Sequence, residues 1–347
     1  MTLHVLDTQM NYIGRIENWI SLTWEEEYQG EGALTLIVDD TEQYAKLLKH
    51  GHLLYRDDRK TAMIAVKVER SGEDGTITVG GYTTLHMLDY RMSYNKRVVT
   101  NVEEGIYGAV ANNLRGLPIV VAEAKGYEDT VEDMEFDCPM LSDMVFDLLK
   151  ESDLGARMLY DHATKTHTFE VYRGEDRAYK EDEGGGYVFS SEFGNLISLV
   201  VTEDDDVFKN VAVICGANPG CDKTTFTYEV VEGLTGLDRR ELLVDGEAQG
   251  DDRTFDKWKK DMLDKGKKEL LEHNKVQTFE AVPYPGSYGV RYTLGDLVTC
   301  KSSRYDLRFD ARITQVKEKI DREGSEMTLT LGEPVLTYIR GELIKNG

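Results

Sequence analysis

One stretch occurs twice in this chain, and that repetition constrains the fold more than any other feature. Ile64 to Gly80 (IAVKVERSGEDGTITVG) lies without gaps over Val316 to Gly332 (VKEKIDREGSEMTLTLG), at an offset of 252 residues. Lys67/Lys319, Arg70/Arg322, Gly72/Gly324, Thr76/Thr328, Thr78/Thr330 and Gly80/Gly332 are identical in this alignment. Val68/Ile320, Asp74/Glu326, Ile77/Leu329 and Val79/Leu331 are close substitutions. Upstream, Gly51-His52-Leu53-Leu54 answers Gly295-Asp296-Leu297-Val298 at an offset of 244, which predicts a turn eight residues longer in the second copy. Met327, Leu329 and Leu331 share one face and Thr328 and Thr330 the other, the two-residue period of a half-buried strand. Arg322-Glu323-Gly324-Ser325 has the composition and length of a hairpin connection. Alternation alone is common to all hairpins, but matched glycines, matched threonines and a matched third strand exceed it. Two related β-domains near the two ends follow.

A chain of 347 residues is expected to hold two or more domains. Its 41 basic and 64 acidic residues leave a net charge of −23, which argues against binding to duplex DNA or an anionic membrane. Cys138, Cys215, Cys221 and Cys300 are few and scattered, the pattern of a reducing compartment during folding. Met1 to Met10 has neither a basic nor an apolar segment of signal-peptide type, so none is expected. No apolar run approaches the roughly 18 residues of a membrane span, so no membrane insertion is expected. The expectation is an acidic protein made in the cytoplasm.

Along the chain, residues 1–90 are expected to form a first β-barrel domain. Leu3 to Leu6 and Tyr12 to Ile16 form a hairpin. Ser21 to Trp24 and Ala33 to Val38 bracket an acidic turn, and Asp39-Asp40-Thr41 caps a short helix that Gly51 ends. Residues 91–190 are expected to be an α+β insertion domain. Thr100-Asn101-Val102-Glu103 has capping-box spacing ahead of a helix with Ile106, Val110 and Leu114 inward. Leu141, Met144, Val145, Leu148 and Leu149 mark a second helix, Met158 to Tyr172 a hairpin, and Lys180–Gly186 a flexible acidic linker. Residues 191–335 are expected to form a second β-barrel domain. Phe193 to Val201, Val207 to Cys215 and Phe226 to Val231 are its strands, with a helical insertion at about 250–273 whose face carries Phe255, Trp258, Met262, Gly266 and Leu270. Residues 336–347 form a tail. The fold class is thus mainly β with an α+β insertion: two related β-barrels, a small α+β domain and a helical insertion.

The residues that could carry chemistry each have a plainer explanation. His162 and His167 sit in a predicted hairpin turn, Asp161–His167, without helical spacing or a nearby cysteine, so solvated turn histidines are expected and no metal site. Cys215 and Cys221 have no second pair to make a zinc site. Asp204-Asp205-Asp206 lacks the glycine and distal glutamate of a calcium loop. Gly184-Gly185-Gly186 precedes a strand and is a linker, not a phosphate loop. Trp19, Trp24 and Trp258 could make a sugar platform, but their neighbours fit strand and helix cores. There is no Gly-x-Ser-x-Gly elbow, no Cys–His motif and no HExxH, so catalytic residues, cofactors and metals are all expected to be none.

Several segments together resemble the bacteriophage tail-hub and baseplate-hub proteins, the tail-associated, Gp37-like siphophage family. They are Trp24 to Val38 (WEEEYQGEGALTLIV), Gly80-Gly81-Tyr82 with Leu85 and Leu88-Asp89-Tyr90-Arg91, and Phe208-Lys209-Asn210-Val211 with Cys215-Gly216. Gly236-Leu237-Asp238-Arg239-Arg240-Glu241, a helix ending near Lys265-Gly266, and Tyr288–Asp296 leading into Arg312-Ile313-Thr314-Gln315-Val316 complete the set. The resemblance implies a structural, non-enzymatic hub located in the virion tail and made in the host bacterial cytoplasm. It implies a homotrimer of pseudo-sixfold shape joining the tail tube to tip or fibre proteins, near the tape-measure protein, with DNA passing through its lumen without specific binding. Many members carry a C-terminal hydrolase or fibre extension. This chain ends about fifteen residues after its second copy, so no lytic role is expected. A cell-wall-degrading or carbohydrate-acting tail enzyme is the alternative, which a zymogram would reveal. A monomeric carbohydrate-binding module is a third reading, which glycan binding would support.

Overall fold

The computed structural model describes residues 1–180, 185–219, 221–250, 253–271, 273, 276–304 and 307–332. The expected tail at 336–347 and the centre of the acidic linker, 181–184, lie outside the described residues. The chain forms two compact units, Met1–Val200 with Glu280–Gly332, and Val201–Phe279.

The first unit opens with β1 (Leu3–Leu6), β2 (Tyr12–Ile16), β3 (Ser21–Glu27) and β4 (Leu34–Asp39). The Thr41 hydroxyl accepts from Tyr44 N–H at 3.2 Å and starts helix α1 (Glu42–Leu47). β5 (Leu53–Arg56), β6 (Ala62–Ser71) and β7 (Thr76–Thr83) complete the first copy of the repeat. Then come β8 (Arg97–Asn101), α2 (Val102–Asn113), β9 (Ile119–Val121), β10 (Thr130–Phe136), α3 (Leu141–Lys150), β11 (Gly155–Asp161) and β12 (Thr166–Tyr172). β13 (Val188–Phe189) and β14 (Leu196–Asp204) follow. The second unit contributes β15 (Val211–Asn218), β16 (Cys221–Glu229), β17 (Glu241–Asp245) and α4 (Phe255–Leu271). β18 (Val276–Pro283), β19 (Leu297–Ser302), β20 (Leu307–Asp321) and β21 (Gly324–Leu331) carry the second copy.

Thirteen strands make one sheet, ordered β14-β18-β21-β20-β3-β4-β7-β6-β5-β1-β2, with β19 on β20 and β13 on β19. This is a correction to the expected pair of barrels: the protein is mainly β, but among the described residues no sheet closes into a barrel. The two copies instead join through the antiparallel β3–β20 pairing, Gln315 opposite Glu27 through Asp321 opposite Ser21.

The repeat is present in the hydrogen-bond ladders, in a different register from the ungapped alignment. Each long strand carries one bulged residue, Val66 between Ala65 and Lys67, and Thr314 between Ile313 and Gln315. Superposing the bulges sets β6 on β20 at an offset of 248 and β7 on β21 at 250: Lys67–Gly80 then matches Gln315–Thr330, and Val68–Val79 matches Val316–Leu329. The 252 alignment missed because the first hairpin has the four-residue connection Gly72–Gly75 and the second only Arg322-Glu323. The errors are even numbers, so every side chain stayed on its proper face and the similarity survived. The third-strand match at 244 holds. Gly51 N–H donates to Ala65 O at 2.7 Å as Gly295 N–H does to Ile313 O at 2.8 Å, and Ala65 N–H donates to His52 O as Ile313 N–H does to Asp296 O. Both glycines need the left-handed region, at φ +80° and +92°. The segment joining the third strand to the long strand is therefore four residues longer in the second copy, not eight.

The first copy is buried on both faces. Leu22, Trp24, Leu36, Leu54, Met63 and Val79 pack on one side with α1. Leu53, Tyr55, Ala62 and Ile64 point the other way, into a core shared with α2, α3 and β11–β12. The insertion has its own small sheets, β8–β10 and β9–β12–β11, yet it completes the covering of β5 and β6. The α2 cap differs from expectation. Asn101 Oδ1, not Thr100, accepts from Glu104 N–H at 2.9 Å. Glu103 is buried and accepts from the N–H groups of Lys125, Gly126 and Tyr127 at 2.7–2.8 Å, holding that loop.

In the second unit, β16-β15-β17 form a three-stranded sheet with Trp258, Met262 and Leu270 of α4 packed on Ala212, Ile214 and Val244. A Cβ on Gly266 would lie 2.6 Å from Ile214 Cδ1, so glycine there sets how closely helix and strand approach. Phe255, expected on the inward face, is 45% exposed.

Candidate assembly interface

The junction of the two copies is built around charges that strand geometry buries. Trp24 on β3 stands opposite Glu318 on β20. The connection between β5 and β6 brings Arg56-Asp57-Asp58-Arg59 over the same place. Arg56, 2% exposed, lies over the Trp24 ring and donates from Nη2 to Asp58 at 2.6 Å. Its Nη1 is 2.8 Å from Glu318 Oε2, a close ion pair. Arg59 Nη2 donates to Glu318 at 2.9 Å and Nη1 to Glu26 at 3.3 Å, while Thr61 Oγ1 donates to Glu26. Burial pushes the Glu318 carboxyl up, but Arg56 and Arg59 together hold it below the usual carboxylate range. Burial also pushes the Tyr288 hydroxyl up to about 12, keeping it neutral beneath the Arg59 guanidinium. The arrangement is an electrostatic clasp across β3, the end of β5 with the β5–β6 connection, and β20.

Beside it, the end of β3 enters the insertion. Tyr28 N–H donates to Thr314 O at 2.8 Å, at the bulge of β20. The Tyr28 hydroxyl donates towards the carbonyls of Asp153 and Tyr172 at 3.0 and 3.1 Å and accepts from Gly174 N–H at 3.3 Å. Gln29 Nε2 donates to the carbonyls of Leu149, Ser152 and Leu154 at 2.7–3.0 Å, closing the end of α3.

Among the strand edges without ladder partners in the described residues, two belong to corresponding sets of strands in the two copies. On β6, the bulged Val66 is followed by Lys67 to Ser71, which pair with β7 on one side only. β14 pairs only with β18, and Ile197 and Val200 are 57% and 49% exposed.

Apart from Trp24, none of these side chains was singled out from sequence as a candidate site. Arg56–Arg59 has the composition of a solvated turn, and Glu318 between two lysines that of a solvated strand face. The one local signal was Glu26 following Leu22 and Trp24 at inward spacing.

Apart from Trp24, the residues that were singled out lie elsewhere. His162 is in the exposed β11–β12 turn, its ring stacked on Tyr55 at 4.9 Å. His167 is a correction: it lies on β12, fully buried, with neither ring nitrogen hydrogen-bonded among the described residues. Burial alone lowers its pKa from 6.5 to about 4. The folded state therefore resists a proton that the unfolded chain accepts, so stability is full above pH 6.5 and falls as the pH drops towards about 4. The loss is expected to be on the order of 3 kcal/mol. Urea midpoints measured across that range check it: His167→Leu is expected to flatten this acid limb, and an unchanged slope would reject the assignment.

Cys215 is half-buried, Cys138 and Cys221 are exposed and Cys300 is buried, all as free thiols. Asp205 pairs with Arg240 at 2.6 Å just after β14. Gly184 lies outside the described residues. Trp24 and Trp258 are buried in separate cores, and Trp19 is partly buried against the first. No group of three or more His, Cys, Asp or Glu able to hold a metal occurs among the described residues, and none of their helices is long and apolar enough to cross a membrane.

A family model described as Siphovirus ReqiPepy6 Gp37-like protein matches residues 2–104 and 117–333. Solved structures share the fold at low identity. The prophage tail protein gp18 from Listeria monocytogenes EGD-e is 13% identical with a TM-score of 0.53, covering 99% of both chains. The tail protein from Neisseria meningitidis MC58 is 12% identical with a TM-score of 0.57, covering 96% of both. The 43 kDa tail protein of prophage MuSo2 from Shewanella oneidensis is 12% identical with a TM-score of 0.55, covering 96% of this chain and 99% of that one. No curated protein matches the chain.

Proposed function

The chain belongs to the Siphovirus ReqiPepy6 Gp37-like family, and on that premise we propose that it is a structural hub of a phage tail tip or baseplate, or of a tail-like particle. Three copies form a ring that joins the tail tube to tip or fibre proteins, close to the tape-measure protein. The observation that carries this reading is the duplicated β5–β6–β7 ladder, with its matched bulges and matched glycine hydrogen bonds. Three chains around a closed axis offer six such units, so a threefold ring acquires a near-sixfold shape. A sixfold tube and a threefold tip can then meet on one protein. Residues 1–90 and 191–335 supply the ring layer, with 91–190 outside it. The reading is a scaffolding one, with the chain contributing surfaces and not catalysis.

The net charge of −23 fits a conduit for DNA, because each lysine–phosphate contact on its wall would act as a counterion-releasing trap. The lumen is expected to be acidic or neutral, with basic residues outward or paired; a continuous Lys/Arg-lined bore would contradict it. The decisive measurement is the copy number and symmetry of the hub in a particle reconstruction. Three copies with superposable repeats are expected, and two, four or six copies per ring would refute the proposal.

A further inference from the structure

We infer that the open edge of β6, Val66 to Ser71, receives β14 of a second copy of this chain, as β20 receives β3 within one chain. The inference rests on the ring reading and names its contact. The sheet orders β3-β4-β7-β6-β5 and β14-β18-β21-β20-β19 correspond strand for strand. In the second set, β20 beyond its bulge is covered: Tyr28 N–H meets Thr314 O, then Gln315 to Asp321 pair with Glu27 to Ser21. In the first set, β6 beyond its bulge has no such cover among the described residues. The strand equivalent to β3 is β14, which sits at the end of the sheet with an open edge.

Each chain thus satisfies this contact once internally and carries one unsatisfied donor and one unsatisfied acceptor of the same kind. An open strand edge is a template for pairing, and the exposed Ile197 and Val200 would leave water on docking. Lys67, Glu69 and Arg70 rim the acceptor edge, where their polarity discourages indiscriminate pairing. The contact is heterologous, so every added copy presents the same two edges until the ring closes.

The test uses the full chain with Cys138, Cys215 and Cys221 changed to Ser. Arg70→Cys or Ser71→Cys, at the end of β6 that faces the start of β14 in the β3–β20 register, is combined with Ile197→Cys, and Tyr12→Cys with Ile197→Cys serves as the control pair. Oxidation at the highest soluble concentration is expected to give covalent species ending at three copies from the β6–β14 pairs and none from the control. Ile197→Asp is expected to abolish assembly without moving the unfolding midpoint, because the side chain is exposed in the single chain. A trimer by mass that yields no β6–β14 cross-link overturns the strand assignment while the ring reading stands. Cross-links that end at another copy number overturn the ring reading while the strand assignment stands. A monomer with an internal disulfide, or with none, overturns the inference.

Discussion

Replacing Glu318 by alanine is expected to destabilise the first unit by about 3–5 kcal/mol, the loss typical of removing one partner from a buried ion pair. Glu318 is the carboxylate common to Arg56 and Arg59, both nearly buried. Without it, Asp58 still pairs with Arg56 and Glu26 with Arg59, so the loss should fall in the lower part of that range. Glu318→Gln keeps the shape and removes only the charge, and should lose less. Urea unfolding measures both, and a change below about 1 kcal/mol would place this pair among ordinary surface ion pairs. The pH dependence has a definite sign. The folded carboxyl titrates below its ordinary value of 4.5, so its contribution is present above that pH and is lost as the pH falls through the folded pKa. Glu318→Ala should lack that component of acid sensitivity and keep the His167 component at higher pH.

Tyr28→Ala is expected to lose a similar amount, about 3–5 kcal/mol, through a large cavity. The ring is fully buried and T-shaped against Tyr172, with centroids 5.2 Å apart, under the Arg312 guanidinium at 5.3 Å. Close neighbours leave no room for variation: a Cβ on Gly155 would lie 2.3 Å from the ring and one on Gly295 2.5 Å from it. Tyr28→Phe isolates the hydroxyl and should lose about 1–2 kcal/mol, since Gly174 N–H and two carbonyls lose their partner. Hydrogen exchange gives a second readout. In Tyr28→Ala the amides of β11 and the start of β19 should lose protection together, because one side chain packs both. Protection lost in only one of them would show that Tyr28 does not couple the insertion to the second copy.

Both predictions concern residues inside quoted sequence motifs, and neither role was legible there. WEEEYQGEG was noticed as a resemblance and as an acidic turn. What makes Tyr28 and Gln29 matter is where that turn ends, among carbonyls of Leu149 to Leu154 more than a hundred residues away. Likewise the lysines beside Glu318 are exposed, as alternation predicts, while Glu318 is largely covered because β3 and the Arg56–Arg59 connection arrive over it. His167 was misplaced for the same reason. Its neighbours mark a hairpin, but which face of β12 is covered depends on α2 and β9 packing across it.

The sequence by itself determined the period-two strands, the helical stripe of α3, the Thr41 cap and the existence of two related β-units. Each of these is a local pattern whose energy is decided within a turn or a strand pair. Only the tertiary structure decided the hairpin register, the open sheet in place of barrels, and which charges are buried. Register slips of two or four residues leave every side chain on the same face, so alternation cannot distinguish them. Closure depends on which strand covers each edge, and here β3 crosses from the first copy to cover β20 in the second. That choice is made by contacts between residues some three hundred positions apart, Gln315 with Glu25 and Glu27 and Glu318 with Trp24, which no local pattern encodes.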